Sequence, residues 1–265
     1  MIEAQNLSYR IGTRALLHDV SLRVASGEVL AVVGANGAGK STLLKLLGGE
    51  LTPAFGEVRL AGKRLREYRA TDLARRRAVL SQQVQVALPF GCEELVMMGR
   101  YPHFDGAPSP RDHEIVASAF ARVGIADLAR RNYQTLSGGE QQRVQLARVL
   151  AQLSDVPQAL LLLDEPTNNL DLLHQHGTLS LARSLARRGM AVVAILHDLN
   201  LAAQYADQVL MLRQGEVVVS GTPAEVLTPA HIRRGFGIEV RCLVHPELAC
   251  PLVVTLADQK QSIPV

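Results

Sequence analysis

Several features are scarce in this sequence, and each scarcity excludes something. Three cysteines in 265 residues, Cys92, Cys242 and Cys250, are an odd and sparse set. They build no disulfide framework and fit a reducing cytosol. Long apolar runs are missing. The longest, "ALLLL" at 159–163 and "MAVVAIL" at 190–196, fall far short of the ~20 residues that span a bilayer. The opening "MIEAQNLSYRIG" has no charged start followed by an apolar run, so no secretory signal is expected. Excess charge is missing too. A net charge of +3 does not suggest nucleic acid as a partner, which calls for a strong clustered basic patch. There is no low-complexity segment and no sustained heptad pattern. What remains is ordinary globular composition, 48% hydrophobic and 20% charged, in a chain long enough for a sizeable core.

Buried strands alternate with helices. "EVLAVVG" (28–34), "ALLLLDEP" (159–166) and "MAVVAILHD" (190–198) are apolar runs that end in glycine or polar residues. "KSTLLKLLGG" and "LLHQHGTLSLARSLARRG" read as helices with glycine stops. This pattern predicts an α/β fold with a mostly parallel sheet covered on both faces. Residues from about 84 to 150 show helical patterns without a convincing strand, and so predict a helical lobe inserted into the core. "QVLMLRQGEVVVSG" predicts a hairpin turning at Gln214-Gly215, followed by two short helices. The last residues, from 238, are apolar in places and carry no assignable pattern. Cys250-Pro251 with His245 nearby would permit a haem or metal contact, but cysteines of this kind more often pack as small apolar groups.

The chemistry centres on "GANGAGKST". Gly34, Ala35, Asn36, Gly37, Ala38, Gly39, Lys40, Ser41 and Thr42 lie after a strand and before a helix, as a phosphate-binding loop requires. Its backbone N–H groups wrap phosphates, Lys40 reaches the β- and γ-phosphates, and the Ser41 hydroxyl ligates Mg²⁺. Asp164 stands at the carboxyl end of a buried strand, where it can hold the metal. Glu165 follows at once, and strand alternation would aim it elsewhere, towards water activation. His197 ends a third strand and can share the site. A second phosphate-attracting feature appears at "LSGGEQQRVQLAR" (136–148). Ser137 and Glu140 fit a capping box, and Gly138 and Gly139 open the helix.

Taken together, these residues resemble the ATP-binding subunits of ABC transporters over nearly the whole chain. The resemblance implies a P-loop NTPase fold with a mixed, mostly parallel sheet, a small antiparallel β region and an inserted helical lobe. It implies an ATPase domain over 1–240 and a tail over 241–265. It implies that Tyr9 stacks on adenine, Gln82 of "LSQQ" contacts Mg²⁺, "LSGGEQ" is the signature, Glu165 is the catalytic base, Asp171 of "NNLD" belongs to the D-loop, and His197 is the switch histidine. In such a family two subunits meet head to tail, and the Ser137–Gly139 end of one covers ATP on the loop of the other. Two transmembrane permease subunits, and indirectly a periplasmic binding protein, are the implied partners at the cytoplasmic face of the inner membrane. The wording of "VMMGRYPHF", "DEPTNNLDLLHQH" and "LHDLNLAAQYADQVLML" resembles importer subunits for iron chelates, haem and cobalamin, and haem importers in particular. Met97, Met98, Tyr101 and Phe104 are candidates for an apolar socket that takes the permease, or for lobe core. The basic run at 63–77 reads as a solvated helical face. Siderophore or cobalamin cargo remains open from sequence, as does a soluble ABC ATPase acting on DNA or the ribosome.

Overall fold

A computed structural model describes residues 1–81, 86, 88–156, 158–168 and 170–256. In chain order the chain forms β1 (Ile2–Ile11), β2 (Arg14–Val24), β3 (Val29–Val33), α1 (Lys40–Gly48), β4 (Phe55–Leu60), β5 (Lys63–Arg64), α2 (Ala70–Arg76) and β6 (Arg77–Leu80). Then come α3 (Cys92–Met98), α4 (Pro110–Arg122), α5 (Gly138–Leu153), β7 (Leu160–Asp164), α6 (Leu172–Arg187), β8 (Ala191–Ile195) and α7 (Leu199–Tyr205). The chain continues through β9 (Gln208–Arg213), β10 (Glu216–Gly221), α8 (Pro223–Val226), α9 (Pro229–Phe236), β11 (Val240–Val244) and β12 (Pro251–Thr255).

Six strands form the central sheet in the order β10-β9-β3-β8-β7-β6. All its pairs are parallel except β9 with β10. Those two join through Gln214 and Gly215, whose φ values of 50° and 84° are the left-handed pair a tight hairpin turn demands. Because side chains alternate along a strand, the sheet feeds two cores. Val29, Ala31 and Val33 of β3, with Leu161 and Leu163 of β7, face the core shared with α3, α4 and α5. Leu30, Val32, Leu160 and Leu162 face the opposite way, towards α1 and the antiparallel sheet β2-β1-β4-β5. Both faces are thus covered, which is why these strands read as unbroken apolar runs.

The helices Cys92–Leu153 fall between neighbouring strands β6 and β7. A buried ion pair ties them together. Arg100 Nε donates to Asp112 Oδ1 at 2.9 Å, and Arg100 Nη1 donates to the Ala151 carbonyl at 2.8 Å. The pair therefore locks the end of α3 to α4 and α5. The segment that carried no pattern in sequence is the hairpin β11–β12, with Val240 and Val253 buried. A bidentate amide holds it to α7: Asn200 Nδ2 donates to the Val253 carbonyl, and Val253 N donates to Asn200 Oδ1, at 3.1 and 2.7 Å. The boundary expected at 240/241 falls inside β11. Its residues were unreadable because the 245–250 connection carries no two-residue turn signature. His245 Nδ1 accepts from the N–H groups of Glu247 and Leu248, at 3.1 Å each, so it caps that connection. Among the described residues no cluster of three His, Cys, Asp or Glu side chains could hold a metal ion.

Burial alone would raise the Asp112 pKa, but bonds from Ser109 and Arg100 outweigh it and bring it to about 2. The carboxylate's contribution to stability is therefore complete above about pH 4 and is lost as pH falls towards 2. Arg100→Ala should cost about 3–5 kcal/mol in urea unfolding at neutral pH, because it strands a buried carboxylate. That loss should shrink as the buffer is taken from pH 4 to pH 2. A loss below 1 kcal/mol would mean the pair does not hold the lobe together.

Candidate functional site

Parallel strands deliver their carboxyl ends to one edge of the sheet, and the candidate residues gather there. β3 leaves its five buried residues at Gly34 (φ +151°), where a Cβ would lie 2.2 Å from the Leu212 carbonyl oxygen. The loop then turns through Gly37 (φ +77°) and Gly39 (φ +99°) into α1. At Gly39 a Cβ would meet the Leu16 carbonyl oxygen at 2.7 Å and a Leu17 methyl at 2.8 Å. The β9–β10 turn braces the loop from outside, since Gly215 N donates to the Ala38 carbonyl at 3.0 Å. Ala35, Asn36 and Gly37 are exposed, whereas Lys40 is buried at 6% exposure. Its ammonium donates to the Gly34 and Ala35 carbonyls at 2.8 and 3.1 Å. Burial lowers the Lys40 pKa, and the charges of Glu165 and Asp164 oppose that shift.

The Ser41 hydroxyl donates to Asp164 Oδ1 at 3.4 Å. Burial, then the neighbouring Glu165 charge, push the Asp164 carboxyl above its ordinary pKa. The Ser41 hydroxyl and the Asp164 carboxylate are hard oxygen donors of the kind that fit a Mg²⁺ ion. Thr42, next along α1, is half-buried.

Glu165 does diverge from Asp164, but not for the reason expected. β7 ends at Asp164, so strand alternation no longer applies one residue later. Glu165 has φ +52°, and this left-handed turn aims its side chain. Its carboxylate is only 12% exposed, and each of its oxygens has a partner among the described residues. His197 Nε2 lies 2.6 Å from Oε1, and Asn168 Nδ2 donates to Oε2. A carboxylate accepts only, so His197 carries its proton on Nε2 towards Glu165. The ring is thus placed at Glu165 rather than standing free at the strand end.

Around the second helix end the expected capping box is present. Glu140 N donates to Ser137 Oγ, while Glu140 Oε2 accepts from Ser137 N and Oγ at 2.8 and 2.7 Å. Those two bonds hold the Glu140 carboxyl below its ordinary pKa. Ser137 and Gly138 are exposed, and a Cβ at Gly138 would meet nothing within 4 Å. Among the described residues no hydrogen bond or ion pair joins Ser137–Gly139 to the 34–42 loop of the same chain. Asp171 caps α6, accepting from His174 N at 2.9 Å. Tyr9 is half-buried in β1 opposite Leu17, the residue packed on Gly39. Gln82 and the adjacent Gln83 lie outside the described residues.

Sequence reasoning missed Asn168 as the second partner of Glu165. It stands three residues after Glu165, within "NNLD", and that short spacing was the available signal. On the lobe, Phe90, Glu94, Met97, Met98, Tyr101 and Phe104 line a groove of about 520 Å³. Met97 forms its buried floor, whereas Tyr101 is 58% exposed and packs edge-on against Phe104 at 5.8 Å.

A phosphate loop, an acidic strand end and a capped glycine helix on one mixed sheet define a P-loop nucleotide hydrolase. The family model for ABC transporters matches residues 17–168, and the chain belongs to that family as an ABC-type ATPase. Similar curated proteins include the hemin import ATP-binding protein HmuV of Gloeobacter violaceus, 53% identical over 97% of this chain and 95% of that one. The protein of the same name from Deinococcus radiodurans is 50% identical over 96% and 97%. Among solved structures, a metal-chelate type ABC transporter in an inward-facing conformation is 27% identical, with TM-score 0.80 and 96% coverage of both chains. A dimeric bacterial ABC transporter cassette matches with TM-score 0.74 and 27% identity, over 84% of this chain and 98% of that one.

Gly39→Ala should both strain the backbone and drive a methyl into the Leu16 carbonyl. A cost of roughly 1–3 kcal/mol is expected for the φ conflict alone. Thermal melts should show the loss, and binding of a fluorescent ATP analogue should fall with it. Unchanged binding would mean the loop tolerates a different path into α1.

Proposed function

We propose that this chain is the ATP-hydrolysing, energy-coupling subunit of a haem importer, acting as a homodimer on the cytoplasmic face of the inner membrane. The observation that carries the proposal is the separation of two half-sites. Lys40, Ser41, Asp164, Glu165 and His197 converge at one sheet edge, while the glycine-opened end of α5 stands exposed and unlinked to them. A second copy placed head to tail would bring Ser137, Gly138 and Gly139 over the γ-phosphate. There the α5 N–H groups and dipole would compensate charge as an arginine finger does elsewhere. Two copies would then make two composite sites. Cargo rests on the relatives' names, carried by proteins 46–53% identical across nearly the whole chain.

In this proposal ATP lies with its adenine near Tyr9 and its phosphates on the 34–42 loop. Ser41 and Asp164, together with Gln82, would hold Mg²⁺, which supplies charge compensation at the β- and γ-phosphates when bound. Glu165 orients the attacking water and accepts its proton. His197 and Asn168 each meet one of its two carboxylate oxygens and so orient it. Water adds to the γ-phosphorus, the bond to the β-phosphate oxygen breaks, and ADP and phosphate leave. The groove at Met97, Met98, Tyr101 and Phe104 would receive a helix of a transmembrane permease subunit, since Met-lined surfaces adapt to a partner. No helix among the described residues is long and apolar enough to cross a membrane, so the permease would provide the channel. A periplasmic binding protein would deliver cargo without touching this chain. The ATPase domain would comprise 1–240, with its helical subdomain at about 84–150.

Glu165→Gln keeps shape but removes the base. ATPase rate should fall ~10²–10⁴-fold, as for loss of general-base assistance. ATP should stay bound, and size-exclusion chromatography in Mg-ATP should shift the variant from monomer to dimer. A wild-type rate would send the search for the base to His197.

Deleting the gene should stop growth on haem as sole iron source and spare growth on ferric siderophores. The reverse pattern would reassign the cargo. Met98→Glu should match the deletion in cells while the purified protein keeps its ATPase activity. Normal transport by that variant would remove Met98 from the docking surface.

A further inference from the structure

The loop that leaves the catalytic base is tied at both ends to two adjacent residues of α5. At its start, Gln142 Nε2 donates to the Pro166 carbonyl at 2.7 Å, one residue beyond Glu165. At its end, Arg143 Nη1 lies 2.8 Å from His174 Nε2, and His174 Nδ1 lies 2.7 Å from Asp171 Oδ1. The direction of each bond follows from the donor inventory. A guanidinium only donates, so His174 Nε2 accepts from Arg143. The ring proton is then on Nδ1, and it is donated to the carboxylate. This ring is not needed for capping α6, because the backbone N–H of His174 already bonds Asp171 Oδ1 at 2.9 Å. The ring adds a second bond to the same oxygen and anchors it to another helix. The Asp171 carboxyl is held below its ordinary pKa by the His174 backbone bond, then by the ring bond, with Arg143 contributing at longer range. Arg143 also lowers the pKa of Glu140 in the capping box of α5. One guanidinium thus acts on both the glycine-opened helix end and the loop that follows the base.

We propose that His174 is a positioning residue for ATP hydrolysis: clamped by Arg143, it fixes the Asp171 carboxylate and carries the position of the α5 N-terminus to Asp171 of the same subunit. In the head-to-tail dimer α5 reports on one nucleotide and Glu165 acts on the other. A relay inside one subunit therefore links the two composite sites. This inference rests on the head-to-tail reading and on the further reading, implied by the family resemblance, that the D-loop residue Asp171 lies at the composite site.

Steady-state ATPase measurements on the full-length protein test it. His174→Ala should lower kcat about tenfold with KM for ATP unchanged, within the range that coupling between contacting residues reaches. Arg143→Met should do the same. The double variant should be no slower than the slower single one, because both break one chain. His174→Gln, which keeps a donor and an acceptor, should recover most of the rate. Thermal melts of the variants separate a folding defect from a positioning one. Multiplying effects in the double variant, an equal loss in KM, or a wild-type kcat in His174→Ala would overturn the relay. Asp171→Asn serves as the control on the underlying reading. If it is slow while His174→Ala is not, the relay alone fails. If Asp171→Asn itself runs at the wild-type rate, the assignment of Asp171 fails and takes the relay with it.

Discussion

A buried ammonium beneath a loop of carbonyls and N–H groups organises this molecule. Removing Lys40 from water is costly, and two carbonyl bonds with two nearby carboxylates offset the cost. For that arrangement to exist, α1 must begin at Lys40, directly after a left-handed glycine. β7 must also stop so that Asp164 comes to Ser41, and Glu165 must turn away from it. Each condition constrains a different element. The constraints meet at one edge because β3, β8 and β7 are parallel neighbours and end together.

The sheet also explains how chemistry at that edge can reach the lobe. One of its two cores runs without interruption from β3 and β7 into α3, α4 and α5. The Arg100–Asp112 pair ties the lobe's helices together, and Gln142 and Arg143 attach them to Pro166 after Glu165 and to His174 of α6. A packed interior of this kind transmits displacement instead of absorbing it. The groove at Met97 and Tyr101 lies on the same lobe, so the surface proposed for the permease and the helix proposed for the opposite nucleotide share one packed core.

At the other end, the β11–β12 hairpin is fastened by Asn200 to α7, a helix whose N-cap, Asp198, immediately follows His197. The helix that follows His197 is therefore fastened to chain that, read as sequence, carries no assignable pattern.

The sequence by itself determined whatever depends on neighbours in the chain. The glycine spacing of 34–42, the strand ahead of it, the Ser137–Glu140 box and the Gln214-Gly215 turn are local, and each appears in the structure where its residues predicted it. The mostly parallel sheet was legible for the same reason, since fully buried strands need apolar residues at every position. Strand alternation, by contrast, failed at Glu165, because hydrogen bonding along β7 ends one residue earlier and a left-handed turn takes over. The hairpin after Val240 was invisible, because its register is set by burial of Val240 and Val253 and by a side chain 53 residues away. The bond between Arg143 and His174 joins two helices through residues 31 positions apart, and no period or motif encodes it. Tertiary structure alone decides such contacts, because they depend on where α5 and α6 come to lie once the cores have packed.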